Sequence, residues 1–215
     1  MPSDAQLTST APIGLPLFDP RPVVLSHDLV RLEPLALGHA NDLCAAASQE
    51  IESWRYMPVP GLADAATAER WISEANARSA AGGEIAFAIV DGVSGRAVGS
   101  TRYLDIRREH RGLEIGYTWL SPDVRRTAVN TICKYLMLCH AFDRLGAIRV
   151  QLKTDSRNTR SQTAIERIGA VREGVLRSHM ICWDGTLRDS VYYAITRDEW
   201  PGIRTKLASL CGATM

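Results

Sequence analysis

The sequence lacks the features that would indicate export, a metal centre or a membrane anchor. Its five cysteines are scattered with neither a CxxC pair nor zinc-ligand spacing, and their odd number argues against a disulfide framework. No stretch approaches the ~20 apolar residues of a spanning helix, and the first residues do not combine a basic start with an apolar core. We therefore expect a cytoplasmic protein in a reducing environment, without a metal site or membrane contact.

An excess of charge of one sign is also missing. The 25 basic and 24 acidic side chains leave a net charge of +1, so no overall field draws the chain to nucleic acid or to an anionic membrane. A GxxxxGK phosphate loop, which kinase-type chemistry would need, is absent as well. Any anion-binding site must therefore be local.

The composition that remains is that of one soluble domain with an extended start. The hydrophobic fraction of 46% and the charged fraction of 23% are ordinary for a folded chain, and 215 residues suffice for one domain with a sizeable core. Prolines fix φ and remove donors, and five of them fall within residues 1–26. We predict an extended or flexible arm over residues 1–26 and a single domain over residues 27–215.

Apolar periodicity predicts an α+β fold. Alternating segments indicate strands, apolar stripes at helical spacing indicate helices, and Asp184-Gly185 is a strong hairpin signal. Mostly antiparallel strands with one strand-helix-strand crossover predict a mixed sheet of six to seven strands flanked by helices. In chain order the segments are a strand at 29–35, helices at 38–49 and 64–82, strands at 84–90, 96–106 and 112–120, a helix at 129–145, a strand at 147–154, a helix at 158–170, two strands within 172–196 and a helix from Asp198.

The stretch RRTAVNTICK at residues 125–134 lies between a predicted strand and a predicted helix, where many proteins bind phosphate. Loops that cradle pyrophosphate are usually rich in glycine, and this one contains none. The backbone N–H groups and the dipole of a helix N-terminus do not depend on side-chain type, so a cradle without glycine is physically allowed. The alternative is a plain helix start whose arginines face solvent.

Three stretches carry a resemblance to a known family. LVRLEPLALGHANDL opens it, DGTLRDSVYYAITRDEWP closes it, and residues 128–180 are its most specific part. Together they resemble the GNAT acetyltransferase superfamily, and within it the ribosomal-protein N-terminal acetyltransferases of the RimJ/RimL type, over roughly Leu29–Leu207. The resemblance implies a sheet splayed at the strand pair 111–120 and 148–154, with acyl-CoA in the opening and its pyrophosphate over the first turn of the intervening helix.

The resemblance also implies a set of residues that bind acetyl-CoA. A family pattern of Gln or Arg, two residues, Gly, one residue, then Gly or Ala falls on residues 125–130, where only the leading arginine matches outright. Ala128 is tolerable there if its φ is negative, and the arginine side chains can add charge-assisted donors. The implied cofactor-binding residues are Trp119, Leu120, Arg125, Arg126, Thr127, Ala128, Val129, Asn130, Asn158 and Ser161.

Ordinary structural roles compete with cofactor binding at several positions. Asn and Ser around a helix start are favoured caps, which alone would account for Asn158. Lys134 and Arg160 could meet the adenosine phosphates, although solvated charge is the simpler interpretation of both. His140 and Cys139 fall in a predicted buried helix, and we interpret them as packing groups.

Acyl transfer from a thioester to an amine needs a base, a polarised carbonyl and a protonated leaving thiolate. The resemblance places the base at Glu114 in the splayed strand, the acid at Ser161, and the polarising donor at a backbone N–H near Trp119 or Leu120. Glu114 could instead lie on an exposed strand face or pair with an arginine such as Arg102 across the sheet. In that case His179 or ordered water would act as the base.

The resemblance thus implies an N-acyltransferase that moves an acetyl group from acetyl-CoA to a primary amine, a protein N-terminus or a small molecule, by direct attack in a ternary complex. No cysteine lies beside an evident base, so no covalent enzyme intermediate is expected. Two alternatives to this function remain open: an acyltransferase that uses succinyl-CoA or another acyl-CoA, and a non-catalytic acyl-CoA sensor. The protein could also form a homodimer. The acceptor pocket is expected among aromatic residues that could equally be core: Trp54, Tyr56, Trp71, Trp183 and Tyr192.

Overall fold

A computed structural model describes residues 15–48 and 54–212, and its centre is one eight-stranded sheet. The strand order is β1-β2-β3-β4-β5-β6-β8-β7, and every neighbouring pair is antiparallel except β5 and β6. The strands are β1 (Leu25–His27), β2 (Val30–Pro34), β3 (Ile85–Asp91), β4 (Ala97–Arg107), β5 (Gly112–Leu120), β6 (Arg149–Asp155), β7 (Val171–Ile181) and β8 (Leu187–Thr196).

Helices cover both faces of this sheet. Two of them, α1 (Ala40–Ser48) and α2 (Ala65–Ala80), pack against β3 and β4 on one face. The other face carries α3 (Val129–Cys139), α4 (Thr159–Arg167) and α5 (Trp200–Cys211). Within the described ranges, no helix combines the length and the apolarity needed to cross a membrane.

The predicted mixed, mostly antiparallel sheet is confirmed, but the count of six to seven strands was too low. The additional strand is β1, which pairs with β2 through Leu25↔Leu32 and His27↔Val30. A three-residue strand is too short to show alternation, and the predicted boundary between arm and domain, at residues 26 and 27, falls inside it. Residues 15–24 have no regular secondary structure, and the rest of the predicted arm lies outside the described residues.

The helix predicted at 129–145 is present but changes character near its end. It is α-helical to Cys139 and continues as a π-helical turn over His140–Arg144. The Tyr103 hydroxyl donates to the Met137 carbonyl at 2.6 Å, and its ring stacks on that of His140. His140 is therefore a packing group, as expected from its place in the helix.

Strands β5 and β6 separate partway along their length, as the predicted splay requires. Their pairing is limited to Gly112↔Arg149, Leu113↔Val150 and Glu114↔Gln151. Just beyond, β5 bulges against β4, and Tyr117 takes a left-handed φ of 52° that bulky residues rarely adopt. The bulge redirects the second half of β5, so the sheet opens from Glu114 onward.

Candidate functional site

A cleft of about 790 Å³ occupies the opening between β5 and β6. The first turns of α3 and α4 line it on one face of the sheet, through residues such as Asn130 and Ser161. The loop Tyr56–Pro58 and the β7–β8 hairpin line it on the other face. A ligand in the cleft would therefore pass through the sheet, with one end among helix N-termini and the other beside the loop and hairpin.

The start of α3 has backbone N–H groups outside the helical ladder and a geometry that suits an anion, and it is called the cradle below. Its first intrahelical bond runs from the Ile132 N–H to the Ala128 carbonyl, so the N–H groups of the preceding residues lie outside the helical ladder. Ala128 has φ −68°, the negative value that the predicted tolerance of alanine requires. The left-handed residue of this turn is Arg126, with φ 59°, where a side chain is less favourable than glycine.

Thr127 organises the same turn through its hydroxyl, which donates to the Val124 carbonyl at 2.7 Å and accepts from the Val129 N–H at 3.3 Å. Val129 is thus already bonded, and the N–H groups of Asn130 and Thr131 are the better placed for a ligand. The helix dipole favours negative charge at the same point. This turn can hold a phosphate without any glycine.

Cations surround the cradle. Arg125, Arg126, Arg160 and Arg167 all line the cleft. Burial, followed by the charge of Arg160, lowers the pKa of Arg125. Arg167 donates to the Thr131 hydroxyl at 2.9 Å and so stands directly over the first turn of α3. This end of the cleft suits a polyanion.

Lys134 is buried in the cleft wall, so its interpretation as a solvated charge is wrong. Its side chain is only 6% exposed, and Nζ donates to the Thr118 hydroxyl on β5 at 2.6 Å. Burial lowers the pKa of Lys134 to about 8. Within the described ranges no carboxylate pairs with it, so α3 directs an ammonium group without a counter-ion toward the opening of the sheet.

Glu114 lies where the two strands part, and it is buried rather than on an exposed face. The pairing that holds it is not with Arg102: Oε2 accepts from Lys153 Nζ at 3.1 Å and from Gln151 Nε2 at 3.1 Å. The other oxygen, Oε1, lies over Gly116, where an added Cβ would come within 2.8 Å of it. No hydrogen bond from a described residue reaches Oε1, which leaves it available to a ligand.

The alternative base, His179, is not among the residues that line the cleft, although its neighbour Met180 is. Its ring nitrogens contact the Ser190 hydroxyl at 3.0 Å and the Tyr192 hydroxyl at 3.4 Å. Burial first, and then the charge of Lys153, lowers the pKa of His179 and favours the neutral ring. His179 does not line the cleft, and its role as the base stays a prediction.

Asn158 and Ser161 both line the cleft at the start of α4. The Asn158 side chain accepts from the Ser161 N–H at 3.0 Å, which is the capping bond of this helix. The structural role is thus present. Contact of either side chain with a cofactor stays a prediction.

Of the two backbone donors predicted to polarise a carbonyl, the register singles out Leu120. The Ser121 N–H donates to the Val98 carbonyl at 2.7 Å, and Gly99 lies opposite Leu120 in the pair next to that bond. Because paired and unpaired positions alternate in an antiparallel ladder, the Leu120 N–H points away from β4 and toward the opening. By the same alternation, the Trp119 N–H bonds to β4.

The predicted acceptor aromatics divide into two groups. Trp54 and Trp71 are core residues, with Trp54 packed on Trp119 at 5.0 Å between ring centroids. Tyr56 lines the cleft, and Trp183 is half-exposed and donates to the Trp54 carbonyl at 3.1 Å. Tyr192 lies beside His179 and outside the lining.

Two buried arginines were not predicted as site residues from the sequence: Arg102, considered only as a partner of Glu114, and Arg188. Arg102 is fully buried, bonded to Glu84 at 2.6 Å and held between the rings of Trp71 and Tyr117, each 4.5 Å from its Cζ. It thereby supports the bulge from below. Arg188, from β8, lines the cleft and is 8% exposed. Each stands at a buried-face position of a strand, and an arginine at such a position was the available signal.

The family model described as "Acetyltransferase (GNAT) domain" matches residues 30–171 of the chain. Among curated proteins, "Putative ribosomal N-acetyltransferase YdaF" of Bacillus subtilis (strain 168) is 31% identical over 93 residues, which cover 43% of this chain and 50% of that protein. The chain therefore spans about half the length of this curated relative.

Two solved structures share the fold. A GCN5-related N-acetyltransferase from Brucella melitensis superposes with a TM-score of 0.85 and 28% identity, covering 92% of this chain and 89% of the other. Mycobacterium smegmatis RimJ in complex with CoA-disulfide superposes with a TM-score of 0.76 and 20% identity, covering 92% and 97%. Because the identity with RimJ is only 20%, the similarity to that structure shows a shared fold and nothing more.

Proposed function

The chain belongs to the GNAT acetyltransferase domain family, and from this premise we propose that it transfers an acetyl group from acetyl-CoA to a primary amine. One observation carries the proposal: the split between β5 and β6 has an anion cradle at one end and the buried Glu114 at the other. A cleft of this kind can align a polyanionic thioester with an amine across the sheet.

The residues present fit acetyl-CoA as the acyl donor. Its phosphates would meet the N–H groups at the start of α3 and the surrounding guanidinium groups. Lys134 supplies a further cation inside the cleft, where a buried charge is stable only if an anion or a proton loss compensates it. The freed N–H of Leu120 is a donor for the thioester carbonyl oxygen.

The acceptor amine would approach from the opposite face. An amine with a pKa of ~8 to ~10 is mostly protonated at neutral pH and must lose a proton before it attacks. Glu114 Oε1 would accept that proton; this role is supported by the bonds of Lys153 and Gln151, which both go to Oε2. The nitrogen then bonds to the acetyl carbon and the C–S bond breaks. The nitrogen releases its second proton to solvent, and the thiolate takes a proton either from solvent or from Ser161, which regains one from solvent.

The name of the Bacillus subtilis relative supports a ribosomal protein as the acceptor. An amine at a flexible protein N-terminus could reach Glu114 between the loop Tyr56–Pro58 and the β7–β8 hairpin. The space beside Oε1 is narrow, because a Cβ added at Gly116 would come within 2.8 Å of that oxygen and 2.9 Å of the Leu104 side chain, and this favours a small primary amine.

The proposal is tested by titrating acetyl-CoA, succinyl-CoA and free CoA into the protein and by measuring thiol release with amine and peptide acceptors. Glu114→Gln should lower kcat by about 10²–10⁴ while the Kd for acetyl-CoA stays within about twofold. The matched control is Glu109→Gln, at an exposed turn, which should retain full turnover.

Each part of the proposal can fail separately. No acetyl-CoA binding at millimolar concentration would overturn the cofactor assignment. Tight binding without turnover of any amine would favour an acyl-CoA sensor. Undiminished turnover in Glu114→Gln would remove Glu114 as the base and leave ordered water in that role.

A further inference from the structure

Arg188 is a buried cation on the acceptor side of the cleft. Its Nε donates to the Ser190 hydroxyl at 3.0 Å, and Nη1 donates to the Tyr56 carbonyl at 3.4 Å. These two bonds fix the guanidinium between the β7–β8 hairpin and the loop Tyr56–Pro58, and the whole side chain is nine-tenths buried. Within the described ranges nothing accepts from Nη2, so one edge of the fork remains available.

The alternation of β8 places Arg188 on the same face of the sheet as Glu114. Val191 and Tyr193 point into the core that contains α3, so Arg188, Ser190 and Tyr192 point the opposite way. Tyr192 lies opposite Lys153, the ion-pair partner of Glu114. Arg188 and the candidate base therefore face the same compartment, away from the cations that surround the α3 cradle.

Arg188 has no counter-ion in the described part of the chain. The carboxylate within electrostatic range is Asp155, but Arg157 occupies both of its oxygens at 2.7 and 3.0 Å. Glu114, which faces the same compartment, already forms an ion pair with Lys153. A buried guanidinium cannot shed its proton at physiological pH, and since no carboxylate among the described residues pairs with it, an anion from outside can compensate its charge.

We propose that Arg188 binds an anionic group of the acceptor, so that the preferred substrate is a primary amine that carries a carboxylate close to the amine. The inference rests on the proposed function and names the substrate class of the same site. A guanidinium edge matches the two oxygens of a carboxylate, and the apolar residues Met57, Pro58 and Met180 line the same cleft. The carboxylate can belong to a free amino acid or to an acidic residue next to a peptide N-terminus.

The test compares matched acceptors that differ in the carboxylate. One pair is alanine and alaninamide; the other is the peptide amides Ser-Glu-Ala-Ala and Ser-Gln-Ala-Ala. For each pair the ratio of kcat/KM is measured in the parent and in Arg188→Gln, so that differences in amine pKa cancel. The parent should favour the carboxylate in at least one pair by about tenfold more than Arg188→Gln does. The pair that responds identifies the source of the carboxylate.

Arg177→Gln on β7 is the matched control, because it removes an exposed arginine from the same hairpin and should leave both ratios unchanged. Acetyl-CoA titration of each variant establishes that the cleft is intact. An equal ratio in the parent and Arg188→Gln, with acetyl-CoA binding preserved, would overturn this inference alone. If the parent protein does not bind acetyl-CoA at all, both the proposed function and this inference are overturned.

If acetyl-CoA binds but none of the four acceptors is turned over, product binding decides. N-acetylalanine and N-acetylalaninamide, with the two acetylated peptides, are titrated into the protein saturated with CoA. Tighter binding of a carboxylate product, lost in Arg188→Gln and kept in Arg177→Gln, would support the inference. Failure of both carboxylate products to bind better than their amides would overturn it.

Discussion

Lys134 and Arg188 are two buried cations in one cleft, and within the described ranges neither has a carboxylate in an ion pair. They differ in how they can respond to burial. A lysine can lose its proton, and the pKa of Lys134 is lowered to about 8 by burial. An arginine stays charged, so Arg188 depends on an external anion. Under the proposed function, the cofactor side of the cleft has an adjustable charge and the acceptor side a fixed one.

This difference makes cofactor binding by the Lys134 site dependent on pH. Near pH 8 about half of the molecules lack the Lys134 proton, since its pKa in the free protein is about 8. The phosphates of acetyl-CoA favour the charged form and should raise that pKa, so binding should be accompanied by uptake of up to about half a proton at pH 8. At pH 6.5, where Lys134 is already protonated, little uptake is expected.

Calorimetric titrations in buffers of different ionisation enthalpy measure this uptake directly. Lys134→Met should abolish the uptake at pH 8 and weaken acetyl-CoA binding most at low pH, where the parent is fully charged. An equal uptake in the parent and in Lys134→Met would show that another group titrates. Conversion to Met keeps the volume of the buried stem, so a folding defect is not expected.

At the scale of elements, the turn before α3 retains a cradle for anions although it contains no glycine. The position with a left-handed φ is Arg126, and a residue with a Cβ pays about 1 kcal/mol for that conformation. Its neighbour Arg125 has φ −73°, where no such cost arises. Strain at Arg126 is consistent with a side chain retained for its charge.

Replacement of Arg126 should therefore separate stability from affinity. Arg126→Gly and Arg126→Asn both suit a positive φ, so the free energy of unfolding should stay unchanged or rise by up to about 1 kcal/mol. The affinity for acetyl-CoA should fall several-fold because a phosphate donor is lost. Urea denaturation and calorimetric titration measure the two quantities.

The matched variant is Arg125→Asn, at a position whose φ is negative. It should lower affinity without any gain in stability. A loss of more than about 1 kcal/mol in both Arg126 variants would mean that its side chain stabilises the turn in the free protein.

Element by element, the sequence was informative where a pattern is long or a turn signal is specific. Strand β5 spans Gly112–Leu120, as its alternation predicts, and the Asp184-Gly185 turn connects β7 and β8. Asp64 caps α2 by accepting from the Thr67 N–H at 2.7 Å. These features depend on local chemistry, which a single sequence contains.

The site was less predictable because its properties depend on contacts between distant segments. A helical pattern cannot show that Lys134 reaches Thr118, since that contact requires the bulge in β5. Likewise the pairing of Glu114 with Lys153 depends on the register between β5 and β6. Burial of Arg188 depends on the Tyr56 carbonyl, 132 residues away in the chain.

For the molecule as a whole, the opening between β5 and β6 requires a firmly closed opposite end. Arg111 supplies that closure just before Gly112, where the two strands begin to pair. Its Nε donates to the Gly146 carbonyl at 2.9 Å and Nη2 to the Leu145 carbonyl at 3.0 Å. Nη2 also donates to the Pro16 carbonyl, so the N-terminal segment is joined to the same point.

Arg111→Met should thus destabilise the whole domain and leave the cleft itself largely unchanged. The buried side chain bonds three carbonyl groups, those of Gly146 and Leu145 in buried bonds and that of Pro16 in a partly buried one, at about 1 kcal/mol each, so the free energy of unfolding should fall by about 3 kcal/mol. The measurement is the midpoint of urea denaturation with an unchanged m-value.

Arg172→Met, at an exposed position on the edge strand β7, is the matched control and should change stability by less than about 0.5 kcal/mol. Folded Arg111→Met should bind acetyl-CoA with nearly the parent affinity, because Arg111 lies at the closed end of the strand pair and outside the cleft lining. Equal stability of the two variants would show that the closure is maintained by β5–β6 pairing alone.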